Sequence, residues 1–334
     1  MTKQKTLIDV AAAAGVSKMT ASRALRGSKD VSAESKDRVI EAAKKIGYFG
    51  NHLAASLSSA RSDLIGVIVP SLTNIVFPQV MSGISDGLLT TGFQPAFGVT
   101  DYNLDREYEV VGRMLSWRPA GMIITGMEQS SQTRRLLIEA DIPIVQIMDI
   151  DGDAIDYVVG FSHQMAGADM AEALIGAGRT RFGYIGCNLE SDLRANKRKK
   201  GFMDVLKRHE LSLTALSGGI LSSVGEGRRL TRELLKQNSD IDCIYFANDD
   251  VAFGGLCYCI EVGITVPNRV ALAGFNGLSL LQGFPGLIAT STTQRHDIGR
   301  ASAEIIMRSL QSSKQLQSRQ VIMQPTINLG DLKN

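Results

Sequence analysis

The residues most able to bind another molecule stand close together near the N-terminus. In the stretch "VSKMTASRALRG", residues 16–27, long or hydrogen-bonding side chains recur at helical spacing. At about 100° per residue they fall within an arc of about 140°, with small or apolar residues opposite. The five residues of this face are Lys18, Met19, Ser22, Arg23 and Arg26. Such a face can contact the phosphates and base edges of DNA, although a solvent-exposed helix shows the same pattern.

The distribution of charge favours the nucleic-acid interpretation. Residues 1–62 hold 11 Lys or Arg and 5 Asp or Glu, whereas the rest of the chain holds 25 and 29. A basic head therefore precedes a mildly acidic body, although the net charge of the whole chain is only +2. This asymmetry is typical of nucleic-acid-binding proteins, because neutralising phosphates supplies most of the sequence-independent affinity.

Capping residues divide the head into three short helices. The caps are Thr6, Ser17 and Ser32 at the starts and Gly15 and Gly47 at two of the ends. The residues expected to form a small core between the helices are Ile8, Val16, Ala21, Leu25, Val31, Val39, Ile40, Ala43 and Ile46. This pattern predicts a helix-turn-helix unit whose second helix, residues 17–26, enters the major groove. Lys18 and Met19 then meet base edges, and Arg23 can reach a guanine or a phosphate.

Several other classes of protein lack support. No apolar run approaches the about 18–20 residues of a membrane span, and the N-terminus lacks a signal-peptide core, so we expect a cytoplasmic protein. The four cysteines and four histidines show no metal-ligand spacing, so neither a metal nor a cofactor is expected. The hydrolase pattern G-x-S-x-G occurs at residues 83–87, but inside a continuous helical pattern rather than at a strand–helix turn. An enzyme is therefore a distant alternative.

From Leu64 onward, short apolar runs alternate with amphipathic stretches. Strands such as "LIGVIVP", "GMIIT", "RFGYIG" and "DCIYFAN" are separated by helical patterns such as "YEVVGRMLSW" and "HQMAGADMAEALIGAG". This alternation predicts doubly wound parallel sheets with ligands at the carboxyl ends of the strands. About 270 residues exceed what one sheet needs, so two lobes around a cleft are expected.

The segment "TLIDVAAAAGVSKMTASRALRGSKDVSAESKDRVIEAAKKIGYFGNHLAASL" resembles the DNA-binding head and hinge of the LacI family of bacterial transcriptional regulators. The resemblance implies that "NHLAASL", Asn51 to Leu57, folds into a short helix on DNA and that Leu57 wedges into the minor groove. A seven-residue segment is too short to be a stable helix alone, and an apolar wedge at a kink is a known device. Gly50 replaces the proline usual before this segment. The implied DNA contacts are Thr6, Ser17, Lys18, Met19, Thr20, Ser22, Arg23, Arg26, Asn51, His52, Ala54 and Leu57.

The body resembles the same family, with its periplasmic-binding-protein-like fold. The motifs include "IGVIVPSLTNIVFPQVMSGI", "GFSHQMAGADM", "RKKGF", "FANDDVAFGG" and "VPNRVALAGFN", and "SLTN", "MLSW" and "IPIVQIMD" are similar to the gluconate-operon repressors within it. The implied effector-binding positions are Asn74, Val76, Phe77, Asp149, Phe161, Arg194, Arg198, Ser222, Asn248 and Asn276. Asn276 and Thr293 depart from the family's usual Asp and Gln. The other charges of "LRANKRKKGF" are interpreted mostly as a solvated helix face.

The resemblance implies an all-α helix-turn-helix head and an α/β two-lobed body that acts as a dimeric repressor on near-palindromic, double-stranded operator DNA. We expect residues 1–47 to bind DNA, 48–62 to form the hinge, and 63–334 to bind the effector and dimerise. The first lobe is expected at 63–162 and 292–320, and the second at 163–291 and 321–334. The expected effector is a sugar acid, gluconate first. Open alternatives are a corepressor-dependent regulator or an activator, another sugar, and a solute-binding protein.

Overall fold

The chain divides into two compact units, Met1–Ser62 and Asp63–Asn334. The computed structural model describes residues 5–25, 28, 30–48, 62–219, 222–284, 286–312 and 319–333. No helix in this described part of the chain is both long and apolar enough to cross a membrane.

Between residues 5 and 48, the described part of the first unit contains three helices that begin and end where the capping residues predict. They are α1 (Leu7–Ala14), α2 (Lys18–Leu25) and α3 (Ala33–Ile46). Thr6 and Asp9 form a reciprocal capping box, and Gly15 and Gly47 end α1 and α3 in the left-handed conformation. Ser17 caps α2 by accepting the backbone N–H of Thr20 at 3.1 Å. These side chains satisfy N–H groups that a helix cannot pair internally.

The small core of the head differs from the prediction at Ile8 and Leu25, which are exposed, and at Ile40, which is half-buried outside the cluster. Ile8 is 60% exposed and Leu25 is 38% exposed. The face of α1 that packs inward is instead Leu7, Val10, Ala11 and Ala14, because these residues recur at the three- and four-residue spacing of one helix face. A single apolar residue such as Ile8 on the opposite face then remains in solvent.

The second unit alternates strands and helices along its whole length. Its first part contains β1 (Leu64–Val69), α4 (Val76–Leu88), β2 (Gln94–Val99), α5 (Leu104–Ser116), β3 (Gly121–Thr125), α6 (Ser131–Glu139), β4 (Ile144–Ile147) and β5 (Tyr157–Gly160). There follow α7 (His163–Gly176), β6 (Phe182–Cys187), α8 (Leu193–Arg208), β7 (Leu213–Gly218), α9 (Val224–Gln237), β8 (Cys243–Phe246), α10 (Asp249–Glu261) and β9 (Ala271–Ala273). The last elements are β10 (Ile288–Thr292), α11 (Arg295–Gln311), β11 (Gln320–Ile322) and β12 (Thr326–Asn328).

The strands form two six-stranded sheets, one in each lobe. The first has the order β11-β5-β4-β3-β1-β2 and is parallel. The second has the order β12-β10-β9-β8-β6-β7, in which only β12 runs antiparallel. The strand order reverses beside β1 in the first sheet and beside β6 in the second, and such switch points open a crevice at the carboxyl ends of the strands.

The chain crosses between the lobes after β5, after β10 and between β11 and β12. The lobe boundaries, expected only approximately, lie one or two residues away from the expected positions near the C-terminus. Residues 321 and 322 belong to the first lobe, because Val321 pairs with Val159 of β5, and Thr292 ends a strand of the second sheet. Strands of three residues such as β11 are too short to show a period that assigns them to a sheet.

Glycines bring three pairs of helices into backbone contact: α4 with α11, α7 with α8, and α9 with α10. A Cβ atom on Gly83, Gly201 or Gly227 would lie 1.9–2.1 Å from a carbonyl oxygen of the facing helix. Each facing helix has its own glycine in the same position: Gly299, Gly167 and Gly254. Only a residue without a side chain permits this approach.

The G-x-S-x-G pattern lies in the first of these pairs. Ser85 is within α4, and its hydroxyl donates to the carbonyl oxygen of Met81 at 2.9 Å. Gly83 and Gly87 face the backbone of α11. The motif therefore serves helix packing and does not form the strand–helix turn that exposes a nucleophilic serine.

Candidate functional site

A cleft opens where the carboxyl ends of the strands of the two sheets meet. Seven of the ten predicted effector positions line it: Asn74, Val76, Phe77, Arg194, Arg198, Asn248 and Asn276. Five further lining residues were not predicted: Tyr102, Met148, His163, Asp192 and Phe275. Most follow the end of a strand, so the strand-end rule alone could have found Tyr102 after β2 and Met148 after β4.

Loop residues at helix N-termini supply much of the polar wall. The side-chain oxygen of Asn74 accepts the backbone N–H of Val76 at 3.2 Å, while its amide donates to the hydroxyl of Tyr102 at 3.0 Å. Asn248 caps α10 by accepting the N–H of Val251 at 3.1 Å. Because these asparagines are fixed by backbone contacts, their free hydrogen-bonding groups face the cleft in a defined orientation.

Arg198 and His163 are the two most deeply buried polar side chains among the residues that line the cleft. Arg198 is 5% exposed, and its guanidinium donates to the carbonyl oxygen of Ala247 and contacts Nδ1 of His163, both at 2.8 Å. The guanidinium lies 4.1 Å from the centre of the Phe275 ring. Its Nε is buried without a hydrogen-bond partner.

His163 is neutral and joins this arginine to the first lobe. Its Nε2 lies 2.8 Å from the carbonyl oxygen of Met148, which can only accept. Nε2 therefore carries the proton, and Nδ1 accepts from Arg198. Burial, reinforced by the charge of Arg198, lowers the pKa of His163 well below its usual value.

A second charged group, which we call the Lys197 triad, connects the lobes beside the cleft. Lys197 of α8 contacts Asp149 at 2.5 Å and Glu128 at 2.6 Å, and both carboxylates follow strands of the first sheet. Burial and the charge of Glu128 raise the pKa of Asp149 to about 7. Burial also opposes ionisation of Glu128, but Arg194 and Lys197 outweigh it and lower its pKa to about 2.

Three predicted effector positions do not line the cleft. Asp149 is fully buried in the Lys197 triad, and Phe161 is fully buried with its ring 4.7 Å from that of His163. Ser222 is exposed and immediately precedes Ser223, which caps α9. Asp149 and Phe161 support residues of the cleft from behind, and the role of these three residues as effector contacts stays a prediction.

On the head, the predicted DNA-binding face is open to solvent. Met19 is 63% exposed, and Ser17, Lys18 and Arg23 are also exposed. Thr20 and Ser22 are half-buried, while Ala21 and Ala24 pack into the core. An exposed methionine beside two cations suits contact with DNA bases and phosphates better than packing within the head. Thr6 is exposed at the start of α1. The other five predicted contacts lie outside the described residues: Arg26, Asn51, His52, Ala54 and Leu57.

A helix-turn-helix head joined to a two-lobed body with a polar cleft defines a ligand-responsive DNA-binding regulator. Residues 6–51 match the family "Bacterial regulatory proteins, lacI family", and residues 62–329 match "Periplasmic binding proteins and sugar binding domain of LacI family". The chain belongs to the LacI family and is a DNA-binding transcriptional regulator.

Similar proteins cover nearly the whole chain. It is 36% identical to the HTH-type transcriptional regulator GntR of Pseudomonas aeruginosa over 92% of this chain and 89% of that one. It is 32% identical to the regulator IdnR of Escherichia coli over 92% of both. A LacI-family transcriptional regulator from Silicibacter pomeroyi superposes with a TM-score of 0.93 at 44% identity over 98% of both chains. The Lac repressor dimer bound to operator has the same fold, with a TM-score of 0.83 at 22% identity over 97% of this chain and 98% of that one.

Proposed function

We propose that this regulator is a repressor whose binding to operator DNA is controlled by a small sugar acid. Gluconate is the first candidate, followed by its phosphorylated and keto relatives. The names GntR and IdnR of similar regulators favour this class. The cleft also offers asparagine amides and a tyrosine hydroxyl, which suit the hydroxyl groups of an open sugar chain.

The observation that carries the proposal is the environment of Arg198. Its hydrogen-bond partners are neutral, a carbonyl oxygen and an imidazole nitrogen, and no carboxylate in the described part of the chain forms an ion pair with it. A buried charge without a counter-charge is unfavourable unless an anion binds. Arg194 lines the same cleft, so a carboxylate there meets two guanidinium groups.

Binding of the acid is tested by thermal unfolding with gluconate, 6-phosphogluconate, ketogluconates, glucose and ribose. A ligand that binds only the folded protein stabilises it by about 2.7 kcal/mol at a hundred times its Kd. We expect stabilisation by an acid and none by the neutral sugars. Stabilisation by a neutral sugar alone would show that the sugar-acid assignment is wrong.

Arg198→Ala should abolish both this stabilisation and the effect of the acid on operator binding. Because Ala247 and His163 lose a buried hydrogen-bond partner, the free energy of unfolding of the variant should be about 1–3 kcal/mol lower than that of the parent. The control is Arg208→Ala on the same helix, where the exposed arginine contacts only Glu172. The control should respond to the acid as the parent does, and a normal response of Arg198→Ala would contradict the role of Arg198.

A gel shift with operator DNA distinguishes repression relieved by the acid from its alternatives. Release of DNA when the acid is added supports an inducer. Tighter binding would instead indicate a corepressor, and unchanged binding would contradict control of the operator by the acid. Coupling of only a few kcal/mol between the two sites changes operator occupancy greatly.

On the DNA side, we propose that Lys18 and Met19 contact base edges and that Lys5 contacts a phosphate. Lys18→Ala and Met19→Ala should change which half-site bases are preferred, by about 1–3 kcal/mol for a lost base contact. Lys5→Ala should weaken binding to operator and to random DNA alike. It should also reduce the slope of log affinity against log salt concentration by about one. Equal losses on both DNAs for the Lys18 and Met19 variants would contradict base contact.

We further propose that two copies of the chain bind a near-palindromic operator, one α2 helix in each half-site. The similar Lac repressor is described as a dimer on its operator, which supports this arrangement. Between the half-sites, the two hinge segments, with Leu57 as the apolar wedge, would bend the DNA at the minor groove.

A further inference from the structure

A second cavity, which we call the side pocket, adjoins the cleft, and the proposed function gives it no role. It lies where the ends of β1, β2 and β3 of the first lobe meet the beginning of α5, and Ser191, Leu193 and Arg194 of the second lobe line its other side. Tyr102 and Arg194 line both the side pocket and the cleft. These two side chains therefore stand between the two spaces, with the guanidinium 5.9 Å from the centre of the tyrosine ring.

Glu107 of α5 gives the side pocket its chemistry. It lines the pocket and is 7% exposed, and its Oε1 is buried without a hydrogen-bond partner. Leaving such an atom unpaired costs free energy that a bound group can recover. Burial raises the pKa of Glu107 to about 7, so in mildly acidic solution this carboxyl can both donate and accept a hydrogen bond.

The charges around the pocket restrict what can bind next to Glu107. Arg194 opposes a cation, and Glu128, whose low pKa keeps it ionised, opposes an anion. A neutral hydroxyl group meets neither repulsion and can both donate to and accept from the protonated carboxyl. The side pocket thus suits hydroxyl groups, whereas the Arg198 end of the cleft suits a carboxylate.

We propose that the sugar acid binds as an open, extended chain, with its carboxylate at Arg198 and its distal hydroxyl groups beyond Arg194 at Glu107. The inference rests on the proposed function and narrows its ligand class to acyclic sugar acids long enough to reach both ends. Glu107 is then a residue that determines specificity for chain length. Ring-closed sugar acids carry the same carboxylate but cannot extend into the side pocket.

The test is a calorimetric series at pH 6 with four acids. Glycerate, erythronate and gluconate are open chains of three, four and six carbons, and glucuronate has six carbons but is closed into a pyranose ring. Two recovered hydrogen bonds of about 0.7 kcal/mol each correspond to a gain of about tenfold in affinity. We therefore expect gluconate to bind about tenfold more tightly than erythronate and glucuronate. Equal affinities for gluconate, erythronate and glucuronate would overturn the extended mode.

Variants of Glu107 test whether this residue is the source of the additional affinity for gluconate. Glu107→Leu should remove the tenfold gain in affinity for gluconate and leave the affinity for glycerate and erythronate unchanged. Glu107→Gln keeps a donor and an acceptor, so it should retain most of the gain. The matched control is Glu109→Gln on the same helix, where the exposed carboxylate pairs with Arg113; it should behave as the parent. Thermal unfolding of each variant verifies that it is folded.

The outcomes separate this inference from the proposed function. If gluconate binds the parent and Glu107→Leu equally well, the extended mode is wrong and the sugar-acid proposal stands. If Glu107→Leu and Glu107→Gln both lose affinity for glycerate and erythronate as well as for gluconate, Glu107 does not act on the distal hydroxyl groups alone. That result would also overturn the extended mode. If no acid binds the parent at all, the proposed function fails and this inference fails with it.

Discussion

Gly201→Ala should lower the free energy of unfolding of the body by about 3 kcal/mol or more. The new methyl carbon would lie 1.9 Å from the carbonyl oxygen of Gln164, on the facing helix α7. Because this carbonyl oxygen belongs to the backbone, it cannot move away by a change of rotamer as a flexible side chain can. The two helices α7 and α8 must therefore separate. The same separation moves Arg198 on α8 away from His163 at the start of α7, so we also expect weaker binding of the acid.

The control for this variant is Gly176→Ala. Gly176 is the last residue of α7, has ordinary helical geometry, and has no atom within 4 Å of an added Cβ. Its replacement should leave stability unchanged or raise it by about 0.4–1 kcal/mol through the unfolded state. Urea unfolding measures both variants, and a Gly201→Ala protein within 1 kcal/mol of the parent would show that the helices can separate freely.

Lys197→Met should destabilise the body strongly at pH 8 and much less at pH 5. The lysine is the shared cation of Asp149, which is fully buried, and Glu128. Removing one partner from a buried ion pair costs about 3 kcal/mol. Without the lysine, the pKa of Asp149 should rise further above its usual value, and the pKa of Glu128 should rise from its low value. Each then binds a proton in the folded protein, so the lost stability returns as the pH falls.

The direction of this pH dependence follows from the pKa of Asp149. In the folded protein it is about 7, above the usual value of 3.8, so the folded state holds an extra proton between about pH 4 and pH 7 and loses stability as the pH rises through that range. Lys200→Met, an exposed position on the same helix, is the control. Adding Asp149→Asn to Lys197→Met should restore part of the stability at pH 8, and a deficit independent of pH would contradict the charge argument.

The sequence predicts the head well because its signals are local. The pairing of Thr6 with Asp9 and the positive φ of Gly15 and Gly47 are decided by residues three or four apart. The burial of Leu7 in place of Ile8 depends instead on how three helices meet, which the spacing within α1 does not determine. The strands of the body are predicted in the same local way, whereas the assignment of β11 to a sheet depends on pairing with residues far away in the chain.

The ends of the strands predict which residues lie near the cleft, but not how deeply each of them is buried. Strand ends place Asn74, Asn248 and Asn276 correctly beside the cleft, yet the same rule cannot tell that Asp149 and Phe161 lie one layer behind. Lys197 belongs to a stretch rich in charge that was interpreted mostly as a solvated surface, and its partners come from the other lobe. The sequence pattern does not single out Glu107. In an amphipathic helix, a glutamate that the fold buries has the same spacing as one that stays exposed.

The glycine contacts between helices also give a way to recognise this architecture in very distant chains. A homologue that keeps the three close helix pairs must carry a residue without a side chain at the places of Gly83, Gly167, Gly201, Gly227, Gly254 and Gly299. These places are spread over the whole body and do not depend on what the cleft binds. When ligand-contacting residues have diverged beyond alignment, the six glycines can therefore fix the register of a comparison, and a larger residue at one of them identifies a helix pair that has moved apart.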